Sequence, residues 1–125
     1  MSLDPTNYVE VDEVGAYKVL AEKVTLYKEK FKRIVVVGRG GLSVAQGLAY
    51  KLDLPVVSLK KKHLGKLKET DLFVDDIMCT GETIGKIPQH THVAVLIQRK
   101  SAKGYAHSVG KTYSGSEYIK FSWEA

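Results

Sequence analysis

Asp71-Leu72-Phe73-Val74-Asp75-Asp76-Ile77-Met78-Cys79-Thr80-Gly81-Glu82-Thr83-Ile84 decides how this chain is read. Leu72 to Val74 is an apolar run suited to a buried strand, and it ends in two adjacent carboxylates. In open α/β sheets ligands bind at the carboxyl ends of the strands, so the acids stand where binding is expected. Cys79 to Thr83 are mostly small or hydroxyl-bearing, which lets successive backbone N–H groups wrap a phosphate. Ile84 is expected to open a short helix whose positive end points into that loop, with Pro88 limiting it to about two turns. Acids that merely cap a helix and face water are the bland reading, but that leaves their pairing without a purpose.

Upstream, Arg33 to Val37 is a β-branched run typical of a central parallel strand, and it opens into Gly38-Arg39-Gly40-Gly41. Three glycines let the backbone approach a ligand and adopt φ > 0, while Arg39 offers guanidinium donors to phosphate; a tight strand-to-helix turn has the same composition. Ser43 is expected to cap the next helix, with Ala45, Leu48, Ala49 and Leu52 inward and Gly47 allowing close helix–sheet contact. Further upstream, Asp12 is a plausible N-cap for a helix burying Val14, Tyr17, Leu20, Ala21, Val24, Tyr27 and Phe31 on one face.

Downstream of the glycine-rich turn, Val56 to Leu59 reads as a strand followed by the basic run Lys60 to Lys68. These lysines are either an electrostatic clamp on a polyanion or a solvated charge run; position at a strand's carboxyl end favours the clamp for Lys60 and Lys61. His92 to Ile97 is the next strand, and Gln98-Arg99-Lys100-Ser101 leaves it beside the proposed site. Residues 118 to 123 alternate aromatic or apolar with polar, as in a short half-buried strand. Strands alternating with helices imply a parallel sheet with helices on both faces.

At 125 residues the chain is expected to be one domain, with residues 1–7 flexible. A net charge of +5 suggests an anionic partner. The lone cysteine, Cys79, excludes an internal disulfide and fits a reducing, cytoplasmic setting; without a long apolar run the chain reads as soluble, with no membrane partner.

The acid pair followed by Thr80-Gly81-Glu82-Thr83 resembles the phosphoribosyl pyrophosphate signature of the type I phosphoribosyltransferases. The resemblance implies an α/β fold, a single-domain parallel sheet flanked by helices over residues 1–125, with a small C-terminal base-binding hood at residues 113–124. It implies Mg²⁺-dependent transfer of the 5-phosphoribosyl group from phosphoribosyl pyrophosphate to a base, releasing pyrophosphate. Asp75 and Asp76 would hold the ribose hydroxyls and the Mg²⁺, directly or through water. Cys79, Thr80, Gly81, Glu82 and Thr83 would bind the 5-phosphate; Gly38, Arg39, Gly40, Gly41, Lys60 and Lys61 would bind the pyrophosphate.

The tail is similar to the base-binding segment of xanthine-guanine phosphoribosyltransferases, with Tyr118, Ile119, Trp123 and Glu124 at matching positions. Tyr118 would then stack on a purine, the Ile119 backbone would contact its exocyclic group, and Trp123 would pack. Lys100, or Arg99 under a one-residue shift, would meet the purine's 6-oxygen, which favours guanine, xanthine or hypoxanthine. Members are commonly homodimers or homotetramers, and nucleic acid is not the expected partner.

Two features depart from the family. Only about ten residues separate the strands where a long mobile lid belongs, too few for a large closure. Cys79 replaces the aspartate that 6-oxopurine enzymes carry just before Thr-Gly, removing a proton acceptor. Both departures favour the alternative, a non-catalytic or weakly catalytic regulator on the same fold that binds the sugar diphosphate, a nucleotide or nucleic acid.

Overall fold

The computed structural model describes residues 8–104 and 106–124; the expectation for residues 1–7 lies outside them. Seven strands are present among these residues: β1 (Tyr8–Val9), β2 (Arg33–Val36), β3 (Val56–Ser58), β4 (Asp71–Met78), β5 (His92–Arg99), β6 (Ser108–Tyr113) and β7 (Tyr118–Ile119). The two α-helices are α1 (Glu13–Thr25) and α2 (Leu42–Leu52). Strands β3-β2-β4-β5-β6 form one sheet in that order, parallel throughout, and β1 pairs with β7 in a separate parallel ribbon. A central strand such as β4 is buried on both faces, which is why Leu72, Phe73 and Val74 are apolar without alternation.

The sheet is flanked by helices, but unequally. Both α-helices lie on one face, where Leu20, Val24, Val44, Ala45 and Leu48 pack with Ile34, Val36, Leu72, Val74, Ala94 and Leu96. The opposite face, with Val35, Phe73, Val93 and Val95, is covered by Leu64, Leu67, Ile84 and Ile87 from 3-10 turns and adjoining residues. The expected helix from Ile84 is a single 3-10 turn, Ile84–Lys86. Ile84 and Ile87 are both buried, and one tight turn suffices to bring them onto the sheet before Pro88.

Helix details differ from the expected pattern. Asp12 does cap α1, its Oδ1 accepting from the Gly15 N–H at 2.9 Å. The buried stripe is Ala16, Leu20, Ala21 and Val24; Val14 is 80% exposed, Tyr27 lies past the helix end and is half-exposed, and Tyr17 is half-buried. The helix ends at Thr25, so the three-and-four spacing has no meaning beyond it, and Phe31 is buried from the following segment. Ser43 does not cap α2: the cap position is Gly41, without a side-chain hydrogen bond, and Ser43 is exposed in the first turn. Gly47 admits Tyr17 of α1 rather than the sheet, since a Cβ there would lie 2.8 Å from the Tyr17 hydroxyl.

The tail forms only the two-residue strand β7, in register Tyr8↔Tyr118 and Val9↔Ile119. It then turns, with the Glu124 N–H donating to the Phe121 carbonyl at 3.1 Å, so the alternation to Trp123 does not extend the strand. Trp123 stacks on Phe121 with ring centroids 4.6 Å apart, in the packing role expected of it. No helix among the described residues is long and apolar enough to cross a membrane.

Candidate functional site

The pairing between β2 and β4 ends at Val35↔Phe73, which leaves the β2 side of β4 open from Val74 onward. The chain leaving β2 folds into this gap. Gly38 takes φ +65, Gly41 lies against the β4 backbone where any Cβ would overlap the Val74 carbonyl oxygen, and Gly40 lies over the acids. A Cβ on Gly40 would stand 3.0 Å from Asp76 Oδ1 and 3.3 Å from Asp75 Oδ1. The glycine turn and the acid pair, separated in sequence, are thus one wall. Arg39 is exposed on this turn.

The acids do not terminate the strand as expected. β4 runs on through Ile77 and Met78, paired with Ile97 and Gln98 of β5. The neighbour that ends is β2, and its absence gives the acids their open side.

Side-chain alternation along a strand separates adjacent residues, and the electrostatic surroundings of the two acids differ accordingly. Burial and then the Asp76 charge push the Asp75 carboxyl up to about 8, with Lys61 pulling the other way. Burial also raises Asp76, with Glu124 adding to the rise. Asp75 therefore feels the Lys61 side of the cleft, and Asp76 feels the hood. The Asp76 N–H donates to Asp75 Oδ1 at 2.9 Å and draws the two together.

Next along β4, a cavity of ≈ 130 Å³ is lined by Asp75, Met78, Cys79, Thr80, Gly81, Glu82 and Thr83 among others. Gly81 has φ +86, and a Cβ there would overlap the Lys103 carbonyl oxygen; the Lys103 N–H donates to the Thr80 carbonyl at 3.1 Å. The link from β5 to β6 thus backs the loop, a support with no sequence signal because Lys103 lies far along the chain. The Glu82 N–H donates to Thr80 Oγ1 at 3.2 Å, while Glu82 itself is exposed. Cys79 is a half-buried free thiol on the cavity wall. Only a 3-10 turn follows the loop, too short to direct a helix dipole into it.

The hood stands on the Asp76 side. The Tyr118 hydroxyl donates to Glu124 Oε2 at 2.6 Å, Glu124 Oε1 accepts from the Phe121 N–H at 3.2 Å, and Tyr118 is half-buried with a raised pKa, chiefly from the Glu124 bond. Ile119 packs its side chain into the core. Glu13 anchors the hood to α1, accepting from the Ser122 N–H and hydroxyl. Lys100 is exposed at the end of β5, whereas Arg99 is buried and turned to backbone carbonyls, which removes the one-residue shift from consideration. Lys60 and Lys61 are exposed, at the start of the 3-10 segment Lys61–Lys66. Buried Leu64 and Leu67 pin that short segment to the sheet as a fixed cover.

The fold has counterparts among solved structures. A purine phosphoribosyltransferase from Pyrococcus horikoshii matches with TM-score 0.72 at 22% identity, over 95% of this chain and 95% of that chain. A xanthine-guanine-hypoxanthine phosphoribosyltransferase from Helicobacter pylori matches with TM-score 0.69 at 24% identity, over 94% and 93%. A hypothetical protein from Neisseria gonorrhoeae with bound ppGpp matches with TM-score 0.71 at 21% identity, over 95% and 90%. No family model and no curated relative matches the sequence. The chain has the type I phosphoribosyltransferase fold.

Proposed function

We propose that the protein transfers the 5-phosphoribosyl group of phosphoribosyl pyrophosphate to a purine, with guanine, xanthine and hypoxanthine favoured, and releases pyrophosphate. The observation that supports this most is Gly40 seated against both carboxylates, which joins the glycine-rich turn to the acid pair in one wall. The loop from Cys79 to Thr83 holds the 5-phosphate through its N–H groups. Asp75 and Asp76 orient the ribose hydroxyls and favour the positive charge that develops on the ring as pyrophosphate leaves. Gly38 to Gly41 keep the leaving group close to backbone, with Arg39, Lys60 and Lys61 supplying positive charge. Tyr118 presents the purine from the hood, and Lys100 meets its 6-oxygen. No protein nucleophile enters, so positioning supplies most of the acceleration.

Asp75 and Asp76 also suit Mg²⁺. Two half-buried carboxylates with raised pKa values form a repulsive pair that a hard divalent cation relieves, and such a cation keeps several waters and needs few protein ligands. When bound, the ion would offset charge on the diphosphate.

A second reading, a nucleotide sensor, draws on the Neisseria structure with ppGpp and on the short fixed cover over the Lys61 side. One assay separates them: pyrophosphate release with Mg²⁺ and phosphoribosyl pyrophosphate, run with guanine, xanthine, hypoxanthine and adenine. Turnover with a purine is the expected result. No turnover with any base, alongside calorimetric binding of a guanine nucleotide, would favour the sensor.

A further inference from the structure

Resting on the reading of residues 113–124 as a base-binding hood, we propose that Arg99 is a positioning residue which fixes the hood over the site. Arg99 ends β5 and is only 3% exposed. Its Nη1 donates to the Gly115 carbonyl at 2.8 Å and its Nη2 to the Glu117 carbonyl at 2.5 Å. Both carbonyls belong to the short link between β6 and β7, and Glu117 immediately precedes Tyr118. The Arg99 guanidinium also lies 5.8 Å from the centroid of the Tyr113 ring.

The link is closed on itself around this side chain. The Tyr113 hydroxyl donates to Glu117 Oε2 at 2.5 Å, and a Cβ on Gly115 would lie 2.6 Å from that hydroxyl while overlapping the Glu117 carboxylate. The Lys100 N–H donates to the Tyr113 carbonyl at 3.0 Å, so the residue assigned to the 6-oxygen is tied to the same link.

Stability alone does not account for such an arginine. Its buried Nε has no hydrogen-bond partner among the described residues, and an apolar side chain in its place would avoid burying a charge. What an apolar residue cannot do is hold two carbonyls at fixed separation. A planar fork of donors does this; a lysine, with one compact ammonium, does it incompletely.

The test is steady-state kinetics for purine and for phosphoribosyl pyrophosphate in Arg99→Gln and Arg99→Lys, with amide hydrogen exchange measured in parallel. For Arg99→Gln the purine KM should rise about tenfold while the KM for the sugar diphosphate stays within about twofold, as expected when only the base is misplaced. Exchange should quicken across residues 114–119 and stay unchanged across residues 79–84, and Arg99→Lys should fall between wild type and Arg99→Gln. If Arg99→Gln does not fold, Gly115→Ala opens the same link with Arg99 intact and should give the same pattern. Equal rises in both KM values, or exchange that is unchanged or uniformly faster, would overturn the assignment. Should the wild type transfer to no purine, the transferase reading fails, and the exchange comparison alone decides the role of Arg99.

Discussion

Asp71 and Asp75 lie on the same face-to-face buried strand, one at the start of β4 and one four residues on, and they are held in opposite states. Asp71 is buried beside Arg33, whose Nε donates to it at 2.6 Å, and its other oxygen accepts from the Lys68 N–H at 2.8 Å. Burial alone would raise its pKa, but these bonds overcome it and hold the carboxyl below its ordinary range. Asp75 has burial and a second carboxylate, which outweigh the Lys61 charge, and its pKa rises to about 8. One acid is satisfied by the protein and fastens β2 to β4 at the sheet's amino end. The other, at the carboxyl end, takes one backbone hydrogen bond from Asp76 and no ion pair among the described residues, which leaves its charge for a ligand to offset.

The comparison breaks most visibly on substitution. Asp75→Asn with Asp76→Asn should lower transfer by about a thousandfold or more, since both proposed ribose anchors are lost. Measured without divalent cation, the same variant should be more stable than wild type at pH 8. The sign follows from the raised Asp75: the folded state holds its proton longer than the unfolded state, so that stability is present at low pH and lost as pH rises towards about 8. Asp71→Asn should do the reverse, leaving transfer nearly intact and costing about 2 kcal/mol by thermal or denaturant unfolding.

A second buried group sharpens the contrast between the two ends. His92, 4% exposed, bonds Ser108 Oγ at 2.8 Å and stacks with His107; burial and then the charges of His107 and Lys30 lower its pKa to about 4. Its stabilising contribution is full above the unfolded pKa of about 6.5 and lost as pH falls towards about 4. In the Asp75→Asn, Asp76→Asn background, where the opposing slope is gone, stability should drop by about 2 kcal/mol between pH 6.5 and 4. Adding His92→Asn should flatten that slope.

Smaller effects test the edges of the site. Cys79→Asp introduces a proton acceptor and should raise kcat with a 6-oxopurine about tenfold. Glutamate at Lys61 should weaken binding of the sugar diphosphate about fivefold, and at Lys60 by less, because Asp75 feels the Lys61 charge.

Much of this was legible in residue order. The acid pair, the glycine turn, the Asp12 cap and the strand runs are local signals, and each announces itself by composition. The link between them was not. That Gly40 falls on Asp76 depends on β2 stopping short of β4, and a strand's length relative to its neighbour is a tertiary fact. The run from Ile84 to Pro88 reads as a short helix, yet burying Ile84 and Ile87 takes only one turn. Arg99 looked like a candidate for the base because it is a cation at a strand's carboxyl end, and only the return of residues 113–117 across it shows that the backbone claims it.

The most direct test is conversion of labelled guanine to its nucleoside monophosphate with Mg²⁺ and phosphoribosyl pyrophosphate, in wild type beside the Asp75→Asn, Asp76→Asn variant. Product from the wild type and none above background from the variant is the predicted result. Equal product from both, or none from the wild type with any purine, would contradict the assignment of the acid pair and the glycine turn as a transferase site.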